Sequence, residues 1–391
     1  MDPIVLIGIG LALCFAFLNG LNDAANSIAI IVANRALTPG RAVLLAAAGN
    51  FLGPFLLTTA IARTIGTGIV ESSALTPAIL TTALIAATAF VLVATRSGFP
   101  VSSTHALVGG LVGAGMAAGG PGIVLFPSTE TVAFIIVYAA TGAVPGAVLF
   151  SAAALRLKED PRLGALIGGL IGASLTVNLV ILTGVVHPTG ILAIIVFIVV
   201  SPMMGLFCAF ILDVAISHLF RYSRQNRMRR VFLPLEVVAG GFQALGHGGN
   251  DGQNAIGIIT ALLVAGGFLS GFTVPFWVLC AGAGAIALGT FFGGWEVIER
   301  IARKITKIRP YQGFSAASSA GVILSAHGLS GIPVSSSHVI GGAIVGIGIT
   351  RGFRAVRWDI VREIAFTWVT TIPIAVMLSY LIFQAFRLAG G

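Results

Sequence analysis

Asn19, Asn22, Asp23 and Asn26 fall within eight residues of one apolar stretch, beside Gly20. Asn250, Asp251 and Asn254 repeat the pattern behind Gly246-His247-Gly248-Gly249. A carboxylate at membrane depth is costly unless it is paired, hydrated or bound to a cation. Asn22 and Asn26, at i and i+4, share a helix face, and the neighbouring glycines allow the helix to unwind. Amide and carboxylate oxygens with freed carbonyls form a hard oxygen cage suited to sodium or another small hard cation. The competing role for such Asn side chains is hydrogen bonding between helices.

A second pair of motifs suits an anion. Pro100-Val101-Ser102-Ser103-Thr104-His105 and Pro333-Val334-Ser335-Ser336-Ser337-His338 each place hydroxyls ahead of a Gly-rich apolar run. Each reads as a helix N-terminus inside the membrane, where Ser or Thr caps the helix and open N–H groups meet a negative charge. Two such termini facing each other, with hydroxyls from 102–104 and 335–337 turned inward, would hold a small tetrahedral oxyanion. Ordinary capping is the competing account of one copy alone. His105 and His338 are expected chiefly as hydrogen-bonding groups within these turns, with ligand contact or titration as alternatives. Arg96 is left unassigned, because the second copy has no basic residue at the matching place near Leu329. Asn50 and Asn178, isolated in apolar runs, read as interhelical glue, with lining of the site as the alternative, and Asp359 and Glu363 suit the N-terminal dipole of the last helix.

The rest of the chain must place these groups in a bilayer. Only 9% of the 391 residues are charged, 57% are hydrophobic and the mean hydropathy is +1.03. A soluble domain carries about a quarter charged residues, so a soluble enzyme, a nucleic-acid binder and a secreted disulfide scaffold are excluded. The net charge of +9 comes from basic residues confined to short stretches between apolar runs, the positive-inside pattern. Cys14, Cys208 and Cys280 read as small buried hydrophobes. The run 4–18 lacks a basic leader and a cleavage pattern, so it reads as the first span.

The two motif pairs recur in the same order, Asn22 to Asn250 at an offset of 228 and His105 to His338 at 233. Two unrelated motifs at nearly one offset indicate duplication. Apolar lengths place spans near 4–33, 42–64, 131–155, 163–186, 189–212, 235–264, 271–293 and 359–386. The stretches 75–119 and 311–350, each divided by its Pro-Val-Ser-Ser turn, are re-entrant hairpins or pairs of full crossings. The basic run Arg221 to Arg230 sets the cytoplasmic side, and five crossings before it put the N-terminus outside. The same count puts Arg35, Arg41, Arg156, Lys158 and Arg162, and the loops 294–310 and 351–358, inside. An odd number of crossings between the copies makes the repeats inverted, the architecture of secondary transporters that alternate access. The expected fold is thus an all-α polytopic membrane protein with inverted-topology repeats and broken helices. Its units are a first repeat at 1–156, two connecting spans at 157–212, a basic cytoplasmic loop at 213–233 and a second repeat at 234–391, with both termini extracytoplasmic.

Gly-Leu-Asn-Asp-Ala-Ala-Asn and Gly-Gly-Asn-Asp-Gly-Gln-Asn, with Pro-Val-Ser-Ser-Thr-His and Pro-Val-Ser-Ser-Ser-His, resemble the inorganic phosphate transporter family over essentially the whole chain. The resemblance implies sodium- or proton-coupled phosphate uptake, two re-entrant hairpins and a homodimer. It implies coupling-cation sites at Asn22, Asp23, Asn26, Asn250, Asp251 and Asn254, and phosphate contacts at Ser102, Ser103, Thr104, Ser335, Ser336 and Ser337. Sodium is taken as the coupling ion, with proton coupling or sulfate transport as the alternatives inside the family; no organic cofactor and no nucleic acid are expected. An anion channel is the alternative of a different class, disfavoured by costly carboxylates in an anion path. No HExxH, GxSxG or Cys-nucleophile pattern suggests an enzyme.

Overall fold

The computed structural model describes residues 2–98, 101–156, 158–186, 190–293 and 308–389, without the side chains of 24–27 and 193. Phe99, Pro100, the Asn26 side chain and the basic residues Arg300, Arg303, Lys304 and Lys307 therefore lie outside the described residues. Thirteen α-helices occur among those described: α1 (Pro3–Ala33), α2 (Pro39–Leu56), α3 (Ala60–Thr67), α4 (Pro77–Arg96), α5 (Ser103–Gly119), α6 (Thr129–Arg156), α7 (Pro161–Leu182), α8 (Ile191–Leu219), α9 (Gln225–Ala265), α10 (Phe276–Phe292), α11 (Pro310–Ser330), α12 (Ser336–Ile349) and α13 (Trp358–Leu388). Five of them, α1, α2, α4, α7 and α11, begin with proline, whose missing N–H costs nothing in the first turn. Asp2, Thr76 and Asp160 cap α1, α4 and α7 through side-chain oxygens. Among the described residues six helices are long and apolar enough to cross a membrane, and seven if the bent pair α2 and α3 is one span.

That bend corrects the single span expected over 42–64. The chain breaks at 57–59 and α3 leaves at 81° to α2. Exposed backbone groups in a membrane must be satisfied internally, and Gln253 of α9 does this: its Nε2 donates to the Thr58 carbonyl at 2.6 Å, and its Oε1 accepts from Ala62 N at 3.0 Å. The basic run also differs from the loop expected over 213–233. α8 continues to Leu219 and α9 begins at Gln225, so most of the arginines lie on the first turns of a 41-residue helix. The cysteines are not buried as expected: Cys14 is exposed and Cys208 and Cys280 are half-buried.

Helix packing repeats at the motif offsets. Gly20 of α1 abuts the Ile286 carbonyl of α10, and Gly248 of α9, 228 residues later, abuts Asn50 backbone of α2. Gly109 and Gly113 of α5 meet the carbonyls of Ile372 and Val376 on α13, while Gly342 and Gly346 of α12, 233 residues later, meet those of Pro202 and Leu206 on α8. A side chain at any of these glycines would push the backbones apart, the small-residue packing that membranes favour. α5 is buried over Ser103–Gly115 and α9 over Gly246–Leu263, so the motif-bearing helices form the centre. Before each Ser-rich turn the chain takes a left-handed step, at Gly98 (φ 67°) and Gly331 (φ 72°), which stops α4 and α11. Two apolar clusters, one around α7, α8, α11 and α12 and the other around α3, α4, α5 and α9, flank this centre.

Candidate functional site

α1 and α9 bring Asp23 and Asp251 to one place, and His247, one turn before Asp251, faces both. His247 Nε2 lies 3.3 Å from Asp251 Oδ2 and 3.6 Å from Asp23 Oδ2. Ser336, in the first turn of α12, points its Oγ at the same two oxygens, at 3.0 Å and 3.4 Å. All four side chains are buried. One ligand atom from each of Asp23, His247 and Asp251 falls within 4.8 Å of the others. Two carboxylates this close in a low dielectric demand a positive charge between them.

The amides around them are turned to leave oxygen available. Asn22 Nδ2 donates to Thr95 Oγ1 at 2.9 Å and Asn254 Nδ2 to Thr104 Oγ1 at 2.8 Å. Oδ1 of each is buried with no partner among the described residues, as are both amide atoms of Asn19. Buried polar groups are nearly always satisfied, so these open oxygens, carried on the same two helices as the paired carboxylates, suit a hard cation. Asn250, with its amide nitrogen toward Val334 O (3.0 Å) and Asp251 Oδ1 (3.2 Å), ties α9 to the second Ser-rich turn.

Asn50 does more than join helices. Thr290 Oγ1 spends its one proton on the carbonyls of Ile286 (3.0 Å) or Gly20 (3.2 Å), so it accepts from Asn50 Nδ2 at 2.7 Å. That fixes Asn50 Oδ1 toward His247 Nδ1, at 2.9 Å, as an acceptor. Nδ1 therefore carries a proton, and Nε2 faces the two carboxylates, which favour a positive charge there.

The six hydroxyls assigned to the anion are all buried but differ in use. Ser102 caps α5 by accepting from His105 N at 3.2 Å. Ser103 Oγ has no partner among the described residues, and Thr104 accepts from Asn254. Ser335 and Ser337 share a bond of 3.1 Å, and Ser337 donates to the Val101 carbonyl at 3.4 Å, so the two turns touch. Ser336 turns to the carboxylates. Ser335, at the N-cap of α12, makes no side-chain capping bond, and the N–H groups of a helix's first turn suit an anion.

Among the described residues, His105 Nδ1 and both ring nitrogens of His338 make no hydrogen bond, against expectation. The two rings pack edge to face with centroids 4.8 Å apart, and His338 lies 4.1 Å from the Trp368 ring. Arg96 is exposed at the end of α4, one residue after Thr95, which accepts from Asn22. Asn178 bonds His327 Nε2 at 2.8 Å between α7 and α11, and Asp359 pairs with Arg357 at 3.0 Å at the start of α13. His247, Asn50 and Gln253 were not among the residues assigned from sequence. Their signals were present: His247 is four residues before Asp251 and stands at the offset of 228 from Asn19.

The site thus joins paired carboxylates and open amide oxygens on α1 and α9 to the start of α12. A scan of family models matches the phosphate transporter family over residues 19–164 and 161–379. A Rhizobium meliloti (strain 1021) protein described as a "probable low-affinity inorganic phosphate transporter" is 37% identical over 98% of this chain and 96% of its own length. A Bacillus subtilis (strain 168) protein of the same description is 32% identical over 97% and 96%. Among solved structures, the sodium-dependent phosphate transporter superposes with a TM-score of 0.70 at 27% identity, covering 98% of this chain and 99% of that one. With its duplicated Asn-Asp and Ser-His segments matched along nearly its whole length, the chain belongs to the phosphate transporter family.

Proposed function

We propose that this membrane protein carries inorganic phosphate together with sodium, by alternating access of two inverted repeats, as a homodimer with both termini outside. The observation that carries the reading is the convergence of Asp23, Asp251 and the open oxygens of Asn19, Asn22 and Asn254 beside the uncapped start of α12. Sodium held by these oxygens neutralises the carboxylates, and phosphate then meets the α12 N–H groups and Ser103 without facing bare negative charge. Asn26, Ser102, Thr104, Asn250, Ser335 and Ser337 complete the two shells in this reading. The name of the structural neighbour supports sodium. The glycine contacts repeated at 228 and 233 residues support the duplicated architecture; α4–α5 and α11–α12 are re-entrant hairpins in this reading. Flux of labelled phosphate into proteoliposomes tests it: uptake should follow an imposed sodium gradient and stop when choline replaces sodium.

Proton coupling is a second reading, favoured by one observation. With its proton held on Nδ1 by Asn50, His247 directs Nε2 at two carboxylates, and a proton there would fill the same electrostatic need as sodium. Uptake that persists in choline and rises as external pH falls would establish it in place of sodium.

A further inference from the structure

A groove of about 580 Å³ runs along the outside of the molecule between α7, α8, α12 and α13. Its walls are apolar, with Leu163, Leu170, Met203 and Val345 among them, and its one charged lining residue is Arg362. The rim residues Leu166, Val199 and Val369 are exposed, so the groove opens sideways from helices that are long and apolar enough to cross a membrane. Its length is set by α13. Ten residues separate Trp358, at the Arg362 end, from Trp368 at the other, which at helical rise is about 15 Å, or half the hydrocarbon core.

We propose that this groove is a binding site for one acyl chain of an anionic phospholipid, with the lipid phosphate on Arg362. Depth, wall chemistry and charge agree on that occupant. The groove spans a single leaflet; its walls offer nothing to a polar solute; and its charge sits where a headgroup would be. Trp358 marks the interface level, with its ring in the groove wall and its Nε1 donating to the Phe353 carbonyl at 2.8 Å. Arg162, beside Leu163 in the first turn of α7, adds a second exposed cation at that end, whereas Arg357 is engaged by Asp359. The inner end has a consequence for the carrier. Trp368 lines it and packs at a tilt against His338, with ring centroids 4.1 Å apart, and Gly341 and Gly342 of α12 line it too. An acyl chain there would press on the helix that begins with the second Ser-rich turn.

The test is native mass spectrometry of the full chain in detergent, titrated with phosphatidylglycerol and, separately, phosphatidylcholine. Wild type should retain one phosphatidylglycerol per chain and prefer it by about fivefold, the worth of one arginine at a membrane surface. Arg362→Gln should abolish the preference and keep binding of both lipids. Ala365→Trp and Val369→Trp, which fill the groove from its wall and its rim, should lose both. Retention of phosphatidylglycerol at wild-type level by a folded tryptophan variant, shown folded by wild-type thermal unfolding, would overturn the proposal. So would equal lipid binding in all chains with a tryptophan variant shifted from dimer to monomer, since the groove would then be covered by a second copy.

Discussion

The Asn50 amide oxygen lies 2.9 Å from His247 Nδ1, joining helices whose residues are 197 apart in the chain. This bond decides which nitrogen of the ring meets Asp23 and Asp251. Replacing Asn50 with Leu leaves Thr290 without its donor and frees the imidazole to change tautomer. Cation affinity, read from the sodium dependence of phosphate uptake, is expected to fall about tenfold or more, as for loss of a hydrogen bond to a charged group. Asn50→Asp, which keeps an acceptor toward Nδ1, should lose less.

Asp23→Asn and Asp251→Asn keep size and an oxygen but remove charge. Each should weaken sodium-dependent phosphate binding far more than it lowers thermal stability. Calorimetry in sodium and in choline provides the measurement. By linkage the factor by which sodium tightens phosphate must equal the factor by which phosphate tightens sodium, and both factors should shrink together in either variant.

Ser103 and Ser336 are equivalent by sequence but not by contact. Ser103→Ala should reduce phosphate affinity by about tenfold with sodium affinity kept. Ser336→Ala, which removes the hydroxyl from both carboxylates, should change apparent sodium affinity first. If the two alanine variants behaved alike in calorimetry, the division of roles would be wrong.

Gln253→Leu strips the partners from Thr58 O and Ala62 N at the break between α2 and α3. Ala62 N is buried, and a buried backbone group left open costs about 1–3 kcal/mol, so a fall in melting temperature is expected. Gln253→Glu, which keeps the acceptor for Ala62 N, should recover part of the loss.

Duplication, an all-helical membrane fold and the two motif pairs were legible because each rests on local pattern: apolar length, charge between runs and repeated short segments. The break at 57–59 was not, since Leu57, Thr58 and Thr59 continue an apolar run and their partner Gln253 is nearly 200 residues away. His247 was hidden for a different reason: the position matching it in the first repeat is Asn19, so the duplication does not mark a histidine there. The use of each hydroxyl was equally hidden. Six similar residues in two similar turns act as a cap, an acceptor, an open group, a mutual pair and a donor to carboxylates, which only their neighbours from other segments determine.

Two copies joined by symmetry would give a carrier whose two faces are interchangeable. If both Ser-rich turns were wired alike, swapping the halves would return the same molecule, and its inward- and outward-open forms would have equal energy. The bond from Ser336 to the carboxylates has no counterpart at Ser103, and Ser102 caps α5 while α12 goes uncapped. That inequality lifts the degeneracy. Under the alternating access proposed above, this inequality would give the empty carrier a preferred side, and exchanging the two serine environments is where that preference would be sought.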